Sequence, residues 1–169
     1  MGGVTGERIS QDLVAIAEKP VFFISSGFKD LIDAENSLGY LRSQGIKVLG
    51  WKKSIYDGFL FTNESYNLDG LIDENNINDI NFQDGKGILI FNPVPEELRL
   101  NNKELLELAR KKMKTARERG EDFHPIVNKL LDEETKGMSS FIQLLALIAN
   151  LNLALQISAQ LGGKRNGFN

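Results

Sequence analysis

Cysteine is absent from the 169 residues, so neither a disulfide nor a thiolate metal site can form. Histidine occurs once, at position 124, which rules out a multi-histidine metal centre within one chain. There is no excess of positive charge: the net charge is −3, which argues against a broad nucleic-acid surface while leaving room for a small basic pocket. The opening MGGVTGERISQDL has no apolar core segment and does not read as a signal peptide, so a cytoplasmic setting is expected. Dinucleotide and Walker-type phosphate loops are missing, because Ser25-Ser26-Gly27 lacks the required glycines. No internal repeat or long linker is present.

One stretch lacks charge altogether. From Met138 to Gly163 leucine, isoleucine and alanine dominate, yet Gln143, Asn150, Asn152, Gln156, Ser158 and Gln160 are scattered through it. A bilayer core cannot satisfy that many polar groups on a lone helix. The expectation is therefore a helix buried inside a domain or subunit interface, with no membrane involved.

What is present has the composition of an ordinary globular chain, 41% apolar and 25% charged, with enough length for one domain spanning 1–169. The organising stretch is Pro20 to Trp51. Pro20 to Ile24 is a strand-length apolar run, and Ser25-Ser26-Gly27 is a small-residue turn before Phe28 and Lys29. Ala34, Leu38 and Leu41 then recur at helical spacing, with Gly45 past the end, and Ile46 to Leu49 is a second strand. This is a β-α-β crossover, and the fold class is α/β. Before it, Ser10 is a plausible N-cap for a short helix carrying Leu13, Ile16 and Ala17.

After Trp51 the pattern loosens, and Thr62 to Gly70 has turn composition. Ile72, Ile77, Ile80 and Phe82 are spaced for a short helix over 71–82. Gly87 to Phe91 is a third strand, stopped by Asn92-Pro93-Val94-Pro95; that rigid exit is either a ligand-side loop or a plain connector. Asn101 with Glu104 resembles a capping box for a helix to about Arg119. The basic residues of its last turns suit the helix dipole and a solvated face, so they carry no nucleic-acid reading. His124-Pro125 opens another helix, ending near Gly137, and a final one starts at Ser139.

Lys29 is the sharpest chemical candidate, because ligands collect at the carboxyl ends of strands in open α/β sheets. A lysine there is an anion contact, a surface residue or, if desolvated, a nucleophilic amine. His124 has no partner by spacing and reads as a helix-start residue.

The order of segments adds to this. GGV at the start, ISQDL at 9–13, ISSGFK at 24–29, LGYLRSQGIKVLGW at 38–51 and FNPVPEE at 91–97 resemble the C-terminal half of pseudouridine-5'-phosphate glycosidases, the indigoidine-gene A family. The corresponding family patterns are GGVHRG, DISADL, a strand ending in AGxK, LEYLETQGVPVxGY and ANPIPEE. The resemblance implies a central, largely parallel sheet flanked by helices, a partial α/β/α fold. It implies cleavage of the carbon–carbon glycosidic bond of pseudouridine 5'-phosphate to uracil and ribose 5-phosphate, with Lys29 as the Schiff-base nucleophile. It also implies substrate contacts at Ser10, Gln11 and Asp12, and a pocket position at Gln143, where the family has asparagine. Manganese is the family's cofactor, but Arg8 stands at its ligand position, and a guanidinium cannot coordinate a cation. Thr5 follows GGV where the family has histidine and arginine, and Phe59 to Asn63 lacks the arginine of FYTRSS. The acid that protonates the base belongs to the family's N-terminal half. The partners implied are a phosphorylated sugar or pseudouridine 5'-phosphate, and either a homo-oligomer (trimeric in the family) or a separate N-terminal half. A catalytically inactive relative or fragment, binding a phosphosugar or serving as a structural or regulatory subunit, is the alternative.

Overall fold

Leu89 and Phe91 alternate with Ile88 and Ile90 along one strand, and all four are buried. A strand with apolar residues on both faces needs cover on both faces, which is the demand of a parallel sheet. A computed structural model describes residues 1–5, 8–80 and 85–165, with side chains as far as 162. In it β3 (Phe22–Ser25), β4 (Lys47–Trp51), β7 (Gly70–Ile72) and β8 (Ile88–Phe91) form a four-stranded sheet in the order β3-β8-β4-β7. All three pairings are parallel. The α/β expectation is met.

The two faces are covered by different helices. Val48, Leu89 and Phe91 pack with Leu13, Ile16 and Ala17 of α1 (Gln11–Glu18) and with Leu38 and Leu41 of α2 (Ala34–Ser43). Leu49, Ile88 and Ile90 pack with Leu153 and Ile157 of α5 (Met138–Arg165). A third cluster joins α3 (Lys103–Glu118) and α4 (Phe123–Glu134) to Leu60, Phe61, Val94 and the start of α5. The first residues form a two-stranded ribbon, β1 (Val4–Thr5) with β2 (Arg8–Ile9), and β5 (Ile55–Gly58) pairs with β6 (Thr62–Asn67) as a hairpin.

Three local expectations need correction. Among the described residues of 71–82 the expected helix does not form: Leu71 and Ile72 pair with Gly50 and Trp51 at the sheet edge, and Ile77–Asp79 makes a short 3-10 turn. Cross-strand pairing overrides a weak helical spacing there, and Phe82 lies outside the described residues. The cap of α3 is Asn102, whose Oδ1 accepts the Leu105 N–H at 2.9 Å, rather than Asn101. Of the two burials expected for the final helix, inside a domain or in a subunit interface, the first holds for one face only. Ile142, Ala146, Leu153 and Ile157 face inward, while Phe141, Leu144, Leu147, Ile148, Leu151 and Leu155 are exposed. By length and composition α5 could cross a bilayer. One of its polar residues is nevertheless used by the domain, since Asn150 Oδ1 accepts from Ser26 and from Asn92, both at 3.1 Å.

Candidate active site

The turn after β3 is held by its own small residues. Ser25 Oγ accepts the Gly27 N–H at 3.2 Å and donates to the Gly27 carbonyl at 3.1 Å. Gly27 has φ +135°, and a Cβ there would come within 2.5 Å of Tyr56 Cε2, so only glycine fits. Tyr56 in turn donates to the Phe28 carbonyl at 3.0 Å, and Phe28, Tyr56 and Phe91 form an aromatic cluster under the loop. The exit from β8 is tied to the same point, because the Asn92 N–H donates to the Ser25 carbonyl at 2.7 Å. Lys29 therefore leaves a rigid platform at the carboxyl end of the sheet, as a β-α junction should.

Asp30, the next residue, anchors the loop on its other side. Its carboxylate accepts the N–H groups of Phe59 and Leu60 at 2.8 Å and of Phe61 at 3.3 Å, and Asn63 Nδ2 at 2.8 Å. Burial raises its carboxyl to about 6, against those donors. Nothing in the local sequence marks Asp30, since its partners come from a hairpin whose strands are short and polar.

Lys29 is half-buried and lines a narrow cavity of about 30 Å³ with Asp30, His124, Asn128 and Gln143. Burial lowers its amine from the usual lysine range, opposed by Asp122 and Asp12. Gln143 thus reaches the same cavity as Lys29. So does His124, which sequence spacing leaves without a partner: its Nδ1 lies 3.4 Å from Lys29 Nζ. The imidazole is also lowered, first by burial and then by the Lys29 charge, with Asp122 opposing.

A larger cleft of about 830 Å³ shares Phe123 and His124 with this cavity. Thr5, Arg8, Ser10 and Arg117 line it, together with Glu121 and Asp122. Ser10 and Asp12 both have structural partners. Ser10 caps α1 by accepting the Leu13 N–H at 3.4 Å, and Asp12 Oδ2 accepts the Gly2 N–H at 2.8 Å. A Cβ on Gly2 would sit 2.7 Å from Ser10 Cβ and one on Gly3 2.5 Å from Ile32 Cγ2 and Ser37 Oγ, which explains the Gly-Gly pair. Gln11 is exposed and lines neither cavity. The residues do not fit manganese: Arg8 is a cation in the cleft, and among the described residues no three carboxylate or histidine side chains gather as ligands.

The parallel sheet and its flanking helices define an α/β protein, with Lys29 just past the carboxyl end of β3. The chain belongs to the indigoidine synthase A-like family, whose profile matches residues 1–160. It is 29% identical over 140 residues to the pseudouridine-5'-phosphate glycosidase of Brachyspira hyodysenteriae, covering 78% of this chain and 46% of that protein. It is 28% identical to the enzyme of that name from Thermotoga petrophila, covering 95% of this chain and 58% of the relative. The chain spans about half the length of the curated relatives it matches. Among solved structures, an indigoidine synthase A-like protein from Thermotoga maritima superposes with a TM-score of 0.76 at 25% identity, covering 95% of this chain and 58% of that one. The prealnumycin C-glycosynthase, solved with ribulose 5-phosphate, shares the fold with a TM-score of 0.75 at 20% identity, covering 98% and 59%.

Proposed function

We propose that the chain is a phosphosugar-binding member of this family that holds its sugar as a Schiff base on Lys29. The observation that carries the reading is the half-buried Lys29 amine, lowered by burial, at the strand end beside a cleft of sugar-phosphate size. Arg8 and Arg117 bring guanidinium groups to that cleft, the donors best suited to a phosphate. The phosphate is held there, and the carbonyl carbon of the opened sugar is directed to Lys29. An amine that attacks a carbonyl becomes an imine, an electron sink able to loosen a bond on the adjacent carbon. That is the chemistry a carbon–carbon glycosidic bond requires.

Cleavage of pseudouridine 5'-phosphate also needs an acid to protonate the departing base. The family resemblance assigns that acid to the half of its relatives that this chain does not span. Together with Arg8 at the manganese position, this supports sugar binding without glycoside cleavage by the chain alone. Calorimetric titration with ribose 5-phosphate and with ribose is the test, run beside a uracil-release assay on pseudouridine 5'-phosphate. Saturable binding of the phosphorylated sugar only, with no uracil released, is the expected result. Robust uracil release would contradict the restriction to binding, and no binding at millimolar sugar phosphate would contradict the whole reading.

A further inference from the structure

Lys29 and His124 are 95 residues apart in sequence, and the fold brings Nζ to 3.4 Å from Nδ1. The residue is fixed at the start of its helix. Asp122 caps α4, and its Oδ1 accepts the backbone N–H of His124 at 3.0 Å. The ring lies against Phe123, centroid to centroid 4.1 Å at 35°, and Pro125 follows in the first turn of the helix. His124 also lines both the narrow cavity that contains Lys29 and the larger cleft. It is thus in contact with the amine and borders the space proposed for a sugar.

An ammonium has three donors and no acceptor, so it can face Nδ1 only when that nitrogen carries no proton. If Nδ1 is protonated, the facing amine must be neutral. The contact thus faces two nitrogens, either of which can accept a proton from the other. Asp122 at the cap of α4, Asp12 from α1 and the Met1 amine act on Lys29 or His124, or on both; Arg8, Arg117 and Glu121 line the cleft with His124. Asp30 is engaged with the Phe59–Phe61 backbone and Asn63.

We infer that His124 is the proton acceptor that frees the Lys29 amine for attack on a sugar-phosphate carbonyl. The inference rests on the Schiff-base reading above. The Lys29 ammonium passes one proton to Nδ1, leaving a neutral amine and an imidazolium. The amine lone pair forms a carbon–nitrogen bond to the carbonyl carbon, and proton transfer from nitrogen to oxygen gives a carbinolamine. The imidazolium then returns its proton to the carbinolamine hydroxyl, which departs as water while the nitrogen lone pair closes the C=N bond. The net change is an ammonium and a carbonyl converted to an iminium and water, with His124 restored. A 3.4 Å contact is long for such a transfer, but hydrogen bonds of this kind commonly tighten once ligand is bound.

The test is the rate at which borohydride traps ribose 5-phosphate on Lys29, followed by intact mass across pH, for the unaltered chain and for His124→Asn. Asparagine keeps a polar atom near Nδ1 but does not titrate between pH 5 and 9. Trapping by the variant is expected to be roughly 10- to 100-fold slower at pH 7, in the low range of general-base effects, and to recover as the pH rises. An unchanged rate with an unchanged pH profile overturns the inference. If the variant folds poorly, the imidazole of the unaltered chain is titrated by NMR beside that of Lys29→Met. Removing the lysine charge should raise the His124 pKa, and an unmoved titration overturns the pairing. If the unaltered chain traps no sugar, the Schiff-base reading alone fails. Reductive methylation with formaldehyde and cyanoborohydride then reads the pair directly. Lys29 should be modified faster than exposed lysines at pH 7, and His124→Asn should remove that advantage. Equal modification in both chains overturns the inference.

Discussion

At the scale of single residues, the cleft is explained by where charge is and is not compensated. Arg8 and Arg117 line it, and the proposed role for both is the sugar phosphate. Arg8→Ala and Arg117→Ala should each weaken ribose 5-phosphate binding by about 10-fold, the worth of one charge-assisted contact, without creating binding of unphosphorylated ribose. Calorimetry with both sugars checks this. Asp30 makes a separate prediction. Its carboxyl is raised from 3.8 to about 6 by burial, so the folded chain binds that proton more tightly than the unfolded chain. The stability it contributes is therefore fully present below about pH 4 and is lost as pH rises through about 6. The total is roughly 3 kcal/mol at 1.36 kcal/mol per pH unit. A carboxyl carbon NMR titration should place its midpoint near 6, and urea midpoints should lose a component between pH 4 and 7 that Asp30→Asn lacks. A midpoint below 4 would contradict the burial argument. Neither Asp30 nor the Lys29–His124 contact was legible in the sequence. Their partners lie about 30 and 95 residues away, and no periodicity or spacing rule spans such distances.

At the scale of elements, legibility followed burial. β3, β4 and β8 were readable because parallel strands covered on both faces appear as short apolar runs. The β5–β6 hairpin was not, because Thr62 to Asn67 alternates only partly buried with exposed polar residues. The region of β7 was misread because Ile72, Ile77 and Ile80 sit at helical spacing, while the actual contacts are a sheet edge and a 3-10 turn. The cap of α3 shows how finely local chemistry acts. Asn102→Ala should cost about 1 kcal/mol in denaturant unfolding, whereas Asn101→Ala should change little. Equal effects would contradict the assignment. The final helix makes a stronger contrast. Ile142→Ala and Ile157→Ala remove fully buried side chains and should each cost about 2–5 kcal/mol. Leu147→Gln and Leu151→Gln on the exposed face should stay within about 0.5 kcal/mol in the isolated chain. Chemical denaturation of the four variants measures this directly.

At the scale of the whole molecule, three packed clusters set the geometry. Two clothe the faces of the sheet, and the third stacks α3, α4 and the start of α5 over the β5–β6 turn. The cavity at Lys29 lies against this third cluster, sharing Leu60, Phe61, Ala109, Val127 and Leu131 with it. The amine is therefore desolvated by a helical layer remote in sequence, which is why ordered motifs could name Lys29 but could not describe its surroundings. Of those motifs, GGV and ISQDL form the β1–α1 approach, ISSGFK the turn after β3 and FNPVPEE the exit from β8, while LGYLRSQGIKVLGW spans α2 and β4. The turn after β3 and the exit from β8 meet at one end of the sheet, and Met1 ties the N-terminal approach to them through Gly27 and Lys29. The central claim is that this convergence leaves Lys29 a nucleophile for a sugar phosphate. Its most direct measurement is borohydride reduction in the presence of ribose 5-phosphate, followed by peptide-resolved mass spectrometry. The account predicts one reduced sugar adduct, located on Lys29 and absent from Lys29→Met. An adduct spread over surface lysines, or one that persists in Lys29→Met, would contradict it.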